Sequence, residues 1–258
     1  MQTKTNIKEE GKFKYTESGN GEVLVLLHGL FGGLSNFEHL VKHFHNKLNI
    51  VVPILPIFEL PRKEATIDNL LIYIKEFIAY KGYEKIHILG NSLGGHIGLL
   101  YALDCPEKIK SMILTGSSGL YESAFGSGFP RRSSYEYIEK RTQETFFDPK
   151  VATKELVDEV FETVNNIDKA MRVITTAKSA IRLNLEDRLH EIAAPTLLIW
   201  GVHDRITPFE VGKAFNKHIK NSELVPFDKS GHAPMMEEPE KFNTVLEEFL
   251  EKLEVMQK

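Results

Sequence analysis

The sequence predicts an α/β protein: a mostly parallel, doubly wound sheet with a helical cap insertion. Three observations carry that prediction. From Val23 onward, short β-rich apolar runs alternate with amphipathic stretches of helical period. Several of the runs are continuously apolar, as in strands covered on both faces. The alternation lapses between about Leu120 and Ile192, where only helical patterns occur, and resumes at Pro195. The expected division is a core of residues 1–119 and 192–258 interrupted by a cap of residues 120–191. A chain of 258 residues is long enough to bury a full core in one large domain.

Taken in order, residues 5–10 and 13–17 read as two short polar strands meeting in a hairpin near Gly11. Val23–Leu27 reads as a buried strand ending in His28-Gly29-Leu30-Phe31-Gly32-Gly33. Asn36–Phe44 is helical, with Phe37, Leu40, Val41 and Phe44 on one face. Ile50–Leu55 is a strand halted by prolines, and Ile67–Tyr80 is an amphipathic helix closed by Gly82. The strand Ile86–Leu89, a glycine-rich turn and the helix Gly94–Leu103 follow, then a strand at Ser111–Thr115. Helices are expected at Ser134–Phe146, Ala152–Asn165 and Asp168–Ile181. The strand Pro195–Trp200, the helix Pro208–His218, the strand Glu223–Phe227 and the helix Pro239–Lys252 complete the chain.

The bulk properties exclude several function classes. A net charge of −4 gives no reason to expect nucleic acid or an anionic membrane as partner. Cys105 is the only cysteine, so no internal disulfide can form. The N-terminal stretch MQTKTNIKEEGK lacks the apolar core of a signal peptide, and runs such as Val23–Leu27 are too short to span a bilayer. A cytoplasmic monomer or homodimer acting on a small molecule is the expectation.

Gly90-Asn91-Ser92-Leu93-Gly94 matches G-x-S-x-G between a strand and a helix. A serine at the tip of such a turn sits in a crowded backbone conformation, so the residues two before and two after must be small. The turn also leaves the Leu93 N–H free at a helix start, where developing negative charge is favoured. A nucleophilic serine needs a base distant in sequence and close in the fold. Of the ten histidines, His28, His203 and His232 fall at the C-terminal ends of strands, where open α/β sheets build their sites. His232, in Ser230-Gly231-His232-Ala233-Pro234, is the candidate base. Asp204, on the loop after Pro195–Trp200, is the candidate orienting acid, with Asp187 and Asp228 as weaker alternatives. The chain order Ser, Asp, His is the one expected for this turn. Leu93 N–H and Leu30 N–H are the candidate oxyanion donors. Phe31, Leu120, Phe125 and Phe129 are candidate apolar walls for a substrate, and would serve equally as packing.

With these residues in place, the chain resembles the α/β-hydrolase superfamily in its serine-nucleophile branch. The matching stretches are HGLFGG at 28–33, GNSLGG at 90–95, WGVHDRITP at 200–208 and SGHAPMMEEP at 230–239. The resemblance implies Ser92 as nucleophile, His232 as base, Asp204 as orienting acid and a mostly helical cap over the site. A serine at position 92 sets the chain apart from the haloalkane dehalogenases and epoxide hydrolases, which place an aspartate there. One departure is the loop Pro53–Pro61, where many relatives carry an acidic, glycine-rich sequence.

The cap is most similar to that of the meta-cleavage-product C–C hydrolases, through Phe146-Phe147-Asp148 and the two helices after it. Those enzymes hold a substrate carboxylate with a cap arginine, where this chain has Val160 or its neighbours. They also carry a tryptophan after the catalytic histidine, where this chain has Ala233. Arg131, Arg132, Arg172 and Arg182 are the available substitutes, each equally readable as a solvated surface arginine. The expected activity is therefore hydrolysis of small or medium carboxylic esters through an acyl-enzyme, with no metal or organic cofactor. The alternatives are a C–C bond hydrolase, a lyase or synthase working on a carboxylated ring or dienoate, and a non-catalytic binding protein on the same fold.

Overall fold

Each of the apolar runs becomes a strand of one sheet. The computed structural model describes residues 6–121 and 131–256. The strands are β1 (Lys8–Glu10), β2 (Phe13–Ser18), β3 (Glu22–Leu27), β4 (Leu48–Pro53), β5 (Ile86–Asn91), β6 (Ile109–Thr115), β7 (Thr196–Gly201) and β8 (Ser222–Phe227). They lie in the order β1-β2-β4-β3-β5-β6-β7-β8. The β1/β2 and β2/β4 pairs are antiparallel and all the others parallel. From β3 the chain moves to one side to make β4, then crosses to β5 on the other side. That reversal opens a crevice at the C-terminal ends of β3 and β5, where ligands of open α/β sheets bind.

The period of two along the strands sorts the core into two layers. Val25 and Leu27 of β3 face α2 (Ile67–Tyr80), α3 (Leu93–Asp104) and α7 (Phe209–His218). Leu24 and Leu26 of the same strand face α1 (Glu38–Phe44) and α9 (Pro239–Met256). Helices on both faces explain why these strands are apolar without alternation. Within α2, Ile67, Leu70, Leu71, Ile74, Phe77 and Ile78 are buried at helical spacing, and the Thr66 hydroxyl caps the first turn by accepting from the Asn69 N–H. Each such side chain contributes about 1.5–3 kcal/mol on burial.

Between β6 and β7 the described residues form α4 (Tyr135–Gln143), α5 (Lys154–Asn165) and α6 (Ile167–Arg182), with no strand. α6 docks on the core through α2, where the Thr176 hydroxyl donates to the Ala65 carbonyl (2.7 Å). The bounds of several elements shift from the sequence expectation, and α4 stops at Gln143 rather than Phe146. β4 runs two residues earlier than Ile50–Leu55, because Leu48 already pairs with Glu22 and the Leu55 N–H leaves the ladder to donate to His28 Nε2 (3.2 Å). A short helix, α8 (Pro234–Glu237), follows the His232 loop where only a loop was expected; a proline at its first position and a length of one turn hide it. No helix among the described residues is long and apolar enough to cross a membrane.

Candidate active site

The glycines of the 90–94 turn are there for close approach. A Cβ on Gly94 would lie 2.0 Å from the Leu27 carbonyl oxygen, and one on Gly90 would lie 2.5 Å from the Gly94 carbonyl. Bare backbone thus lets α3 start directly against the ends of β3 and β5. Ser92, between them, has φ 55° and ψ −120°, and is the one non-glycine residue at positive φ among the described residues. Such a conformation costs of order 1–3 kcal/mol and persists only where the surroundings enforce it. The Ser92 N–H donates to the Thr115 carbonyl (3.2 Å) and its carbonyl accepts from the Ser118 N–H (3.1 Å), tying the turn to the end of β6. Leu93 is the first residue of α3, so its N–H has no acceptor within the helix.

The loop after β3 passes beside this serine. A Cβ on Gly29 would sit 3.2 Å from Ser92 Cβ. His28 holds the loop from behind: its Nδ1 donates to the Gly29 carbonyl (2.8 Å) while its Nε2 accepts from Leu55. Burial pushes the His28 imidazole below its ordinary pKa, in keeping with a neutral ring used as a strut. Leu30 and Phe31, next in the chain, line the cleft in front of Ser92.

Asp204 and His232 meet over the ends of β7 and β8. Asp204 Oδ2 accepts from His232 Nδ1 (2.9 Å) and from the Thr207 hydroxyl (2.9 Å). Its Oδ1 accepts from the Ile206 N–H (2.8 Å) and the Thr207 N–H (3.0 Å). With Nδ1 donating to Asp204, the His232 ring presents an Nε2 lone pair. Gly116 fits tightly beside the pair, since a Cβ there would be 2.9 Å from His232 Nδ1 and 3.1 Å from Asp204 Oδ2. Asn91 Nδ2 donates to the His232 carbonyl (3.0 Å) and to the Thr115 carbonyl (3.0 Å), joining the histidine loop to the serine turn. The weaker acid candidates, Asp187 and Asp228, are both exposed.

Ser92 and His232 open into one cleft. Its room is about 130 Å³. Leu30, Phe31 and Met236 line it together with Phe146, Leu156 and Val160 of the helical insertion. Phe31 also lines a second, more polar cleft with Phe58, Glu159, Glu162 and Lys169. Leu120 does not join the cleft among the described residues. Gly119, at φ 118°, turns the chain so that Leu120 is buried with the core side chains, and Asn184 Nδ2 donates to its carbonyl (2.7 Å). Phe125 and Phe129 lie outside the described residues.

None of Arg131, Arg132, Arg172 and Arg182 is among the described residues that line this cleft; the first two and Arg182 are exposed, and Arg172 Nε donates to the Leu60 carbonyl (2.8 Å). The arginine at the cleft is Arg141, paired with Glu144 (3.0 Å). Its position on α4, one residue from Thr142 and four from Thr145, is the only sequence signal that could have found it. Glu237 is another residue that sequence reasoning passes over. Its carboxylate accepts from three backbone N–H groups around the His232 loop, and burial raises its pKa in spite of them. No group of three His, Cys, Asp or Glu side chains among the described residues is arranged to hold a metal ion.

Residues 22–239 match the family model for the alpha/beta hydrolase fold. The chain belongs to that family. An alpha/beta hydrolase enzyme from the metagenome of sediments of the lagoon of Mar Chica, Morocco, shares 39% identity over 96% of this chain and 98% of its own, with a TM-score of 0.80. A 2-hydroxy-6-oxononadienedioate/2-hydroxy-6-oxononatrienedioate hydrolase of Pseudomonas putida is 27% identical over 92% of this chain and 90% of its own. A putative lipase from Acinetobacter baumannii AYE is 25% identical, with a TM-score of 0.83, over 97% of this chain and 91% of its own. This hydrolase therefore sits among relatives named for more than one substrate class.

Proposed function

We propose that the protein is a serine hydrolase of small or medium carboxylic esters that works through an acyl-enzyme. The observation that carries the reading is the strained Ser92 sharing a cleft with His232, whose Nδ1 is held by buried Asp204. Ser92 Oγ attacks the ester carbonyl while His232 Nε2 takes its proton. Leu30 N–H and Leu93 N–H receive the oxyanion; one such donor supplies about 3–4 kcal/mol of transition-state stabilisation. Collapse of the tetrahedral species expels the alcohol, which leaves with the proton from His232. A water deprotonated by His232 then attacks the acyl-enzyme, and the acid departs as Ser92 regains its proton. Asp204 orients the ring and stabilises the imidazolium without itself taking the proton.

The helical insertion acts in this proposal as the cap that shapes the acyl pocket. A room of about 130 Å³ is close to the ~150 Å³ of an apolar cavity that accepts benzene. Val160 and Leu156 on its wall favour an apolar acyl group. The test is a panel of p-nitrophenyl esters of increasing acyl length against the wild type and Ser92→Ala. Loss of the nucleophile should cut turnover by about 10⁶-fold with the fold intact. Wild-type turnover in Ser92→Ala would end the proposal. The named relatives favour a second reading, cleavage of a carbon–carbon bond beside a ketone in a carboxylated dienoate. A vinylogous 1,5-diketone acid run beside the esters separates the two: faster turnover of the diketone acid selects the second.

A further inference from the structure

His232 is carried by a tight loop whose backbone donors need partners, and one side chain takes the donors on both sides of the histidine. Glu237, on α8, straddles the loop. Its Oε1 accepts from the Gly231 N–H (2.8 Å) and the Ala233 N–H (3.3 Å), the residues on either side of His232. Its Oε2 accepts from the Phe147 N–H (2.6 Å), just beyond α4 in the helical insertion. The His232 N–H itself donates to the Thr145 carbonyl (3.0 Å). The fit is close, since a Cβ on Gly231 would lie 2.6 Å from that same carbonyl. Thr145 and Phe146 also line the cleft in front of Ser92. The neighbouring Glu238 bonds elsewhere, to the Ser230 hydroxyl (2.8 Å) and the Lys229 N–H (3.3 Å) upstream in the loop.

We propose that Glu237 is a positioning residue that joins the 145–147 segment to the His232 loop as one mechanical unit, so that a substrate group seated against Thr145 and Phe146 sets the aim of the imidazole. The proposal rests on the reading of His232 as the base. It has a chemical requirement that only a carboxylate meets. Both oxygens of Glu237 accept, from donors on opposite sides. An amide has one acceptor oxygen, so in Glu237→Gln the NH₂ must face an N–H. Keeping two donors satisfied turns the Gln oxygen to Gly231 and Ala233 and breaks the link to Phe147. Glu237→Ala breaks both links.

Two readouts test this. The first is kinetic, with both variants assayed on p-nitrophenyl acetate well below their own melting temperatures. A misaimed base lowers kcat by about tenfold or more with little change in KM, since a displacement of about 1 Å can cost a hundredfold. A purely structural Glu237 would lower the melting temperature and leave kcat of the folded enzyme within about twofold of wild type, which would overturn the proposal. The second readout needs no turnover. Hydrogen–deuterium exchange in Glu237→Ala should rise together in peptides covering 143–148 and 229–234. Loosening of one segment while the other keeps wild-type protection would overturn it.

If a variant does not fold, the wild type decides: the amides of Phe147, Gly231 and Ala233 should open at a common rate, and a spread beyond about tenfold contradicts a single unit. A wild type inactive on esters would sink the functional reading while the exchange result still decides the coupling.

Discussion

Asp204→Asn changes one atom and has a consequence that can be worked out from the hydrogen bonds. The Asp204 side chain is buried, with two backbone donors on Oδ1 and the Thr207 hydroxyl and His232 Nδ1 on Oδ2. An asparagine that points its oxygen at Ile206 and Thr207 turns its NH₂ toward His232. Nδ1 must then accept, which places the ring proton on Nε2, the atom that has to take the proton of Ser92. The flipped amide would restore the useful tautomer but would turn its NH₂ toward the buried Thr207 N–H and the half-buried Ile206 N–H, each costing about 1–3 kcal/mol. At 1.4 kcal/mol per decade, the productive fraction falls roughly 30-fold to 10⁴-fold. Loss of the negative charge beside the imidazolium pushes the total toward the upper end, and about 10⁴ in kcat is the expected loss. The assay is steady-state hydrolysis of p-nitrophenyl acetate, with a thermal melt to show that the fold is kept. Turnover above about a tenth of wild type in a folded Asp204→Asn would refute the tautomer argument.

Two further outcomes follow from the same structure. Gly94→Ala puts a methyl group 2.0 Å from the Leu27 carbonyl oxygen and 2.8 Å from that of His28. Neither backbone can retreat without moving β3, so a loss of about 3 kcal/mol or more is expected; an unshifted urea midpoint would contradict it. Acid should destabilise the fold through buried histidines. Burial holds His96 down at about 4 and lowers His28 and His87 as well. An unfolded chain takes up these protons near pH 6.5 while the folded one does not, so stability is full above that pH and is lost as pH falls toward 4. His96 alone accounts for up to about 3 kcal/mol. Urea unfolding at pH 7.5 and pH 4.5 measures the difference, and equal midpoints would refute it.

Much of this was legible from residue order because the informative side chains lie where strands end. Ile67–Tyr80 is found to the residue, since Thr66 caps it and Gly82 closes it. Asp204 and His232 stand on the loops after β7 and β8, far apart in sequence, and their meeting follows from the parallel order of those strands. What was not legible depends on contacts that no local pattern encodes. Glu237 looks like one of several acidic residues at the start of a terminal helix; its use lies in where three backbone donors happen to converge. Asn91 occupies a free position of the G-x-S-x-G motif, yet its amide joins two loops. Leu120 is apolar and follows a strand, which suits a pocket wall as well as a core, and only the turn at Gly119 decides between them. Arg141 has the pattern of any surface arginine, and its place at the cleft depends on how α4 packs against α5.

In the proposed mechanism Ser92 is a nucleophile activated by His232. A fluorophosphonate probe tests it without any knowledge of the substrate: the Ser92 Oγ–phosphorus bond forms, fluoride leaves and the proton passes to His232. Intact mass followed by peptide mapping should show one adduct, on Ser92 in the peptide that contains GNSLGG, and Asp204→Asn should acquire it far more slowly. A wild-type protein that stays unlabelled, or that carries the adduct on another serine such as Ser117 or Ser118, would contradict the account.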